Sequence, residues 1–216
     1  MTIEIDRSTT KFHYGFTSLE QVELWLSAKK DIKATAFIGR SNVGKSSLIN
    51  ALFGTKTART SKTPGRTREI NVFSFRLSEK GNPAVAEQEY ILFDLPGYGH
   101  ADVSKSMSIH WTKLMELFFA RVSKHTLMVT IQDARHPMQK ADLKFLGYLQ
   151  KFSFARLCLL NKIDKLKKQK DRAKLDKEIK SILNEHNYIK KFYKVSAESK
   201  QGIDIIEQNI INFLTK

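Results

Sequence analysis

The chain has little cysteine, little proline and no long apolar run, and each shortage narrows what it can be. Of its 216 residues, one is cysteine and four are proline. The lone Cys158 excludes an internal disulfide, and its place in the apolar run 157–160 favours a buried thiol over a nucleophile. No apolar run approaches the roughly 20 residues that span a bilayer, and residues 1–16 lack the features of a signal peptide. We therefore expect a cytoplasmic protein without membrane contact, folded as one domain over residues 1–216 with a short N-terminal extension.

Acidic residues are also scarce, since 22 Asp and Glu stand against 37 Lys and Arg and give a net charge of +15. Two segments concentrate the excess. Residues 165–180 carry eight basic residues against three acidic ones, with apolar residues at helical spacing on one face, and residues 56–68 carry five basic residues and no acid. A solvated helix face and a mobile loop would explain both segments. With this total charge, contact with nucleic acid is the favoured interpretation.

Strand-like apolar runs alternate with amphipathic helical patterns along the chain. The pattern predicts strands near 33–38, 70–77, 90–94, 126–132, 156–160 and 192–195, and helices near 45–53, 105–121, 139–150, 171–186 and 203–214. This order is typical of an α/β fold with a mainly parallel six-stranded sheet and helices on both faces. No helix separates 70–77 from 90–94, so these two strands should pair as an antiparallel hairpin at one sheet edge.

The segment from Gly39 to Ser46 fits the phosphate-binding pattern GxxxxGKS/T. A strand leads into it and a helix follows it, as such a loop requires. Its backbone N–H groups and the helix N-terminus favour phosphate, Lys45 can reach the β and γ oxygens, and the Ser46 hydroxyl can hold Mg²⁺. The residues predicted to bind the phosphates are Gly39, Arg40, Ser41, Asn42, Val43, Gly44, Lys45, Ser46 and Ser47.

Ligands of open parallel sheets bind at the carboxyl ends of the strands, so the residues after each strand are informative. Asp94, Leu95, Pro96 and Gly97 follow one strand: the carboxylate can hold Mg²⁺ through water, and the Gly97 N–H can sense a γ-phosphate.

Two more loops carry groups that suit guanine. In Asn161, Lys162, Ile163 and Asp164, the Asp164 carboxylate can accept from guanine N1–H and the 2-amino group, a donor pair that adenine lacks, and the Lys162 stem can cover the base. In Val195, Ser196 and Ala197, a backbone N–H can donate to the guanine 6-oxo group.

With these motifs in order, the chain resembles a translation-factor-type GTPase of the Ras-like P-loop fold. Within the TrmE-Era-EngA-EngB-Septin-like class it closely resembles the bacterial EngB (YsxC/YihA) family, through GRSNVGKSSLINAL (39–52), SKTPGRTREINVF (61–73), DLPGYGHA (94–101), NKID (161–164) and VSA (195–197). The resemblance implies that Thr67 is the switch threonine that binds Mg²⁺ and the γ-phosphate, within a switch I contact made by Gly65, Arg66, Thr67, Arg68 and Glu69. Spacing alone leaves Thr63 an equal candidate.

The same resemblance implies a GTP-controlled switch in large ribosomal subunit assembly, with ribosomal RNA and proteins as partners and a link to cell division and septation. We expect a monomeric EngB-type G domain with GTP or GDP and Mg²⁺ as cofactors; Ser46, Thr67 and Asp94 would hold the metal, and Lys45, Thr67 and Gly97 would act in hydrolysis. Two alternatives remain open: a plain NTP hydrolase, and an RNA-binding module in which the nucleotide is mainly structural.

Hydrolysis should be slow, because Tyr98 stands where Ras-like proteins place the water-orienting glutamine. Asn42 is a candidate K⁺ ligand near the phosphates, or an asparagine that caps the loop backbone. Arg66 and Arg68 can be internal arginine fingers or can contact RNA. Residues 55–68 should be mobile without GTP.

Overall fold

The structure is a computed structural model, and it describes residues 2–29, 32–55, 57–58, 69–79, 88–98 and 105–216. Its strands are β1 (Ile3–Phe16), β2 (Ala34–Gly39), β3 (Ile70–Glu79), β4 (Tyr90–Asp94), β5 (Thr126–Asp133), β6 (Ala155–Asn161) and β7 (Phe192–Lys194). Its α-helices are α1 (Leu19–Ser27), α2 (Lys45–Phe53), α3 (Lys105–Val122), α4 (Lys140–Leu149), α5 (Gln169–Glu185) and α6 (Ile203–Leu214), and single 3-10 turns lie at Ser123–His125 and Ile163–Lys165. The predicted elements are all present, with bounds shifted by a few residues at most.

The strands form one sheet in the order β1-β3-β4-β2-β5-β6-β7. The strands β4, β2, β5, β6 and β7 are parallel to one another, whereas β3 runs antiparallel to both β4 and β1. The α/β class and the antiparallel pair of β3 and β4 are confirmed. The strand count of six was wrong: the described residues form seven strands, because the N-terminal segment adds β1 beside β3 and takes the sheet edge.

The N-terminal segment is a strand followed by a helix. β1 pairs with β3 from Ile3 opposite Glu79 to Phe16 opposite Ile70, with two register irregularities along the way. α1 then begins at a capping box, in which the Ser18 hydroxyl accepts from the Gln21 N–H at 3.3 Å and the Gln21 side chain reaches back to the Ser18 N–H. This arrangement satisfies two of the N–H groups that a helix start leaves unpaired.

Helices cover both faces of the sheet. One core is formed with α1, α3, α4 and α5, and the other with α2, α6 and the start of β1. β2 shows why both faces are apolar: Ala36 and Ile38 belong to the first core and Phe37 to the second.

Several predictions about the core are confirmed. Phe73 and Phe75 of β3 and Phe118 and Phe119 of α3 are buried. The apolar stripe of α5 packs on the first core through Leu175, Ile179, Ile182 and Leu183. Cys158 is buried, and burial raises the pKa of its thiol.

Among the described helices, none has both the length and the apolar character needed to cross a membrane.

Candidate nucleotide-binding site

The loop between β2 and α2 has glycines at two positions where a residue with a side chain would clash with its neighbours. Gly44 precedes α2 with φ of 93°, a left-handed conformation, and a Cβ on it would lie 2.4 Å from Asn161 Nδ2. A Cβ on Gly39 would lie 2.5 Å from the Ile131 carbonyl oxygen. The loop therefore holds a close backbone turn at the N-terminus of a helix, which is the geometry that receives phosphate groups.

The loop after β4 lies directly against this phosphate loop. The Tyr98 N–H donates to the Gly39 carbonyl at 3.3 Å, and the backbones of Tyr98 and Arg40 form an isolated parallel β-bridge. A Cβ on Gly97 would lie 3.0 Å from the Gly39 oxygen and 3.4 Å from Ser41 Oγ. Leu95 and Pro96 are buried beneath. The structure thus brings Gly97 and the phosphate loop together.

Lys45 and Asp94 form an ion pair between the two loops, with their side chains 10% and 5% exposed. The half-buried Ser46 follows Lys45 at the start of α2. A hydroxyl and a carboxylate are oxygen ligands of the kind that Mg²⁺ takes together with phosphate oxygens and water. The residues present fit a magnesium-bound nucleoside phosphate: Lys45 would supply positive charge, and Ser46 and Asp94 would supply metal ligands.

The loop after β6 is tied to the phosphate loop through Asn161, which is 1% exposed. Its Nδ2 donates to the Val43 carbonyl at 2.9 Å, while its Oδ1 accepts from the Ala197 N–H at 3.1 Å. The Ile163 N–H donates to the Val195 carbonyl at 3.3 Å. One side chain therefore joins all three loops that the sequence singles out around the predicted base site.

Lys162 also connects the loop after β6 to the phosphate loop. Its backbone is left-handed, with φ of 69°, and its ammonium group donates to the Asn42 carbonyl. The ammonium also lies 3.2 Å from the Asp133 carboxylate, which Arg135 contacts at 2.7 and 2.9 Å. Burial works to raise the pKa of Asp133, but the hydrogen bonds from Arg135 and Lys162 outweigh it and lower that pKa to about 2. The Lys162 ammonium group is thus held by two oxygen partners, the Asn42 carbonyl and the Asp133 carboxylate.

Asp164 presents a carboxylate that is already oriented. It accepts from Ser196 Oγ at 2.7 Å and lies 3.1 Å from Lys165 Nζ. Burial opposes ionisation, yet these contacts lower its pKa and keep the carboxylate charged. The Ser196 N–H donates to the Gln201 carbonyl at 3.0 Å, and the Ala197 N–H donates to Asn161, so a guanine oxygen would share the latter donor.

The structure also contains two acidic residues that sequence reasoning missed. Asp133 ends β5, and the same inspection of strand ends that found Asp94 and Asn161 would have found it. Asp142 lies on α4 with no exposed surface; its Oδ1 accepts from Tyr98 Oη at 2.9 Å and from Arg40 Nε at 3.1 Å. Because Asp142 lies in an amphipathic helix, the sequence did not indicate that its carboxylate is buried against Tyr98 and Arg40.

The remaining predicted positions divide into described and undescribed residues. Asn42 and Ser47 are exposed, and Glu69 is exposed just before β3. Gly65, Arg66, Thr67 and Arg68 lie outside the described residues, as do Thr63 and most of the segment 55–68 that we expect to be mobile. The assignment of Thr67 therefore stays a prediction.

Comparison with known proteins agrees with this geometry. Residues 34–162 match the family model described as 50S ribosome-binding GTPase. A probable GTP-binding protein EngB from Lawsonia intracellularis is 37% identical over 191 residues, which cover 88% of this chain and 87% of that protein. The corresponding protein from Acidobacterium capsulatum is 44% identical over 131 residues, or 61% of this chain, and the match spans only 60% of that relative's length.

Solved structures show the same fold. A crystal structure of Era in complex with MgGDPNP and nucleotides 1506–1542 of 16S ribosomal RNA superposes with a TM-score of 0.64 at 23% identity, over 86% of this chain and 57% of that one.

Proposed function

Because the chain belongs to the EngB family of GTP-binding proteins, we propose that it is a GTP-dependent switch in large ribosomal subunit assembly, with slow intrinsic GTP hydrolysis and an influence on cell division and septation. Residues 1–216 would act as a single G domain. The observation that carries the proposal is the joining of four strand-end loops: Asn161 contacts Val43 and Ala197, and Tyr98 contacts Gly39.

The phosphates would lie on the backbone N–H groups of residues 39–47, with Lys45 on the β and γ oxygens. Ser46, Asp94 and Thr67 would hold Mg²⁺, which neutralises phosphate charge when bound. Lys45 and Asp94 form an ion pair in the structure, so the cation proposed for the phosphates and the carboxylate proposed for the metal lie side by side.

The base would be identified by Asp164 and covered by Lys162. The hydrogen bond from Ser196 orients the Asp164 carboxylate, which lowers the cost of ordering this side chain for the base. An Asp164→Asn variant should lose affinity for GTP and gain affinity for xanthosine triphosphate, because the amide offers a donor where the carboxylate accepts. Asp176→Asn, on the exposed face of α5, is the control. Unchanged GTP affinity in Asp164→Asn would overturn this assignment.

Slow hydrolysis follows from the position of Tyr98. Its hydroxyl donates to Asp142 and its ring is buried. Tyr98 therefore neither accepts a proton from the attacking water nor orients that water. Catalysis would then rest on Lys45, the Gly97 N–H, Thr67 and a group from the partner. Asn42 would add a K⁺ near the phosphates; equal GTPase rates in KCl and NaCl would remove this role.

The ribosomal RNA would contact the surface around α5 and the edge strand β7. Residues 165–200 contain 12 Lys and Arg against 5 Asp and Glu, and all 12 basic residues are exposed. This excess supplies 7 of the 15 net positive charges of the chain. The segment begins at Lys165, next to Asp164, so RNA on this surface would lie beside the base site.

Co-sedimentation with purified large subunits tests this function, with a non-hydrolysable GTP analogue, GDP or no nucleotide, over a salt series. Binding should favour the analogue and fall steeply with salt. A variant with Lys170, Lys174 and Lys177 changed to Glu should lose binding, whereas the same change at the exposed Lys11, Lys113 and Lys124 should have a smaller effect. Binding by a folded Lys45→Ala protein equal to wild type would favour the RNA-binding module over the switch.

A further inference from the structure

A buried carboxylate connects three segments around the phosphate loop. Asp142 Oδ1 accepts from Tyr98 Oη at 2.9 Å and from Arg40 Nε at 3.1 Å, and Oδ2 accepts from the Gln139 N–H at 3.0 Å. Asp142 is 0% exposed. A fully buried carboxylate with three donors is held firmly, because breaking any one contact leaves charge unpaired in a dry interior.

Tyr98 is fixed through its backbone, its hydroxyl and its ring. Its N–H donates to Gly39, it bridges Arg40, its hydroxyl donates to Asp142, and its ring stacks on Phe145 with centroids 4.3 Å apart and planes 15° apart. Phe145 and Asp142 both belong to α4. The residue after Gly97 is therefore clamped to a helix outside the nucleotide loops.

Arg40 fixes the phosphate loop to the same helix start. Besides Asp142, its guanidinium donates to the Gln139 side chain and to the His136 carbonyl at 3.4 Å. Asp142 thus holds the second residue of the phosphate loop and the neighbour of Gly97 through a single oxygen. This shared contact adds to the direct hydrogen bond between the Tyr98 N–H and the Gly39 carbonyl.

We propose that Asp142 is a positioning residue that holds Gly97 against the phosphate loop through Tyr98 and Arg40, and so provides the selectivity for a third phosphate. This inference rests on the proposed function. A Cβ on Gly97 would be 3.0 Å from the Gly39 oxygen, so the contacts of Tyr98 and Arg40 with Asp142 hold this residue against the phosphate loop. Affinity for GTP then includes little cost of ordering this loop, whereas GDP, which lacks the γ-phosphate, does not use it.

The test is the affinity of full-length protein for GDP and for a non-hydrolysable GTP analogue in Tyr98→Phe and Asp142→Asn. Both variants should bind the analogue about tenfold more weakly, as expected for loss of one hydrogen bond to a charged group, and bind GDP within twofold of wild type. Tyr148→Phe is the matched control, since this tyrosine also lies on α4 and its buried hydroxyl has no hydrogen-bond partner in the described structure. It should leave both affinities unchanged.

The outcomes separate the two proposals. If wild type binds GDP and the analogue while Tyr98→Phe, with its ring retained, shows an unchanged ratio of the two affinities, the role of Asp142 is wrong and the GTP switch stands. If Tyr98→Phe weakens both nucleotides equally, the contact is structural and the inference is again overturned. If wild type binds neither guanine nucleotide, the proposed function itself fails.

Discussion

Asn161 Nδ2 donates to the Val43 carbonyl at 2.9 Å and joins the loop after β6 to the loop after β2. The residues are 118 positions apart, and the same amide accepts from the Ala197 N–H at 3.1 Å. The predicted base site and the predicted phosphate site are therefore one connected unit, and damage to the connection should affect both.

We expect Asn161→Ala to lower the free energy of unfolding by about 1–3 kcal/mol, because the Val43 carbonyl and the Ala197 N–H lose a buried partner. Affinities for GTP and GDP should fall by the same factor, since both nucleotides use the shared loops. Urea unfolding and equilibrium nucleotide titration measure the two effects. Asn184→Ala, exposed on α5, is the control, and a variant as stable as that control would contradict the prediction.

Gly44→Ala should destabilise the protein by at least about 2 kcal/mol and abolish tight nucleotide binding. The left-handed φ of 93° alone costs alanine roughly 1–2 kcal/mol, and the new Cβ meets Asn161 Nδ2 at 2.4 Å. Gly147→Ala is the matched control: nothing lies within 4 Å of its Cβ, so the helix should gain roughly 0.5–1 kcal/mol. Thermal unfolding of the two variants should shift in opposite directions; a shift of both in the same direction would count against this account.

Asp133 should make stability depend on pH. Its pKa of about 2 in the folded protein lies below the unfolded value of about 3.9, so its contribution is present above pH 5 and is lost as pH falls through 2. At pH 7, Asp133→Asn should be less stable than wild type by about 1–2 kcal/mol, and the difference should shrink between pH 5 and pH 2. Denaturation at pH 7, 4 and 2.5 measures it. A difference that stays constant with pH would show that charge on Asp133 is not responsible.

Glu207 should hold the start of β1. Its carboxylate accepts from the Ile5 N–H at 2.8 Å and from Arg7 at 2.6 Å, and the residue is 7% exposed. Glu207→Ala should cost about 1–3 kcal/mol by leaving the Ile5 N–H unpaired. Arg7→Met removes an ion pair with a partly exposed cation and a 3.4 Å hydrogen bond to the Ile5 carbonyl, and should cost less than about 1 kcal/mol. Hydrogen exchange of Ile5 should accelerate in the first variant alone, and acceleration in both would refute the distinction.

The loops after β2, β4 and β6 could be predicted because short motifs coincide with strand ends. β1 could not, since Ile5 and Phe16 are its only buried apolar residues, its middle is polar, and Phe12 and Tyr14 remain exposed. The alternation that marks a strand is also interrupted by the two irregularities in its register. Its place became visible only through pairing with β3.

Asp142 was hidden for a different reason. A polar residue in an amphipathic helix is normally read as solvent-exposed, and its burial depends on Tyr98 and Arg40, which are 44 and 102 positions away. No local pattern carries such a contact. Asp133 was accessible to the strand-end argument, but its partners Lys162 and Arg135 were not.

The contact between Ile5 and Glu207 joins residues 202 positions apart. A chain synthesised from its amino end exposes Ile5 early and acquires the carboxylate of α6 only after most of the sheet has been made. β1 can pair with β3 as soon as both have been synthesised, but the hydrogen bond from the Ile5 N–H to Glu207 can form only after α6 has been synthesised. The contact that holds the start of β1 therefore depends on the formation of α6, which is synthesised much later.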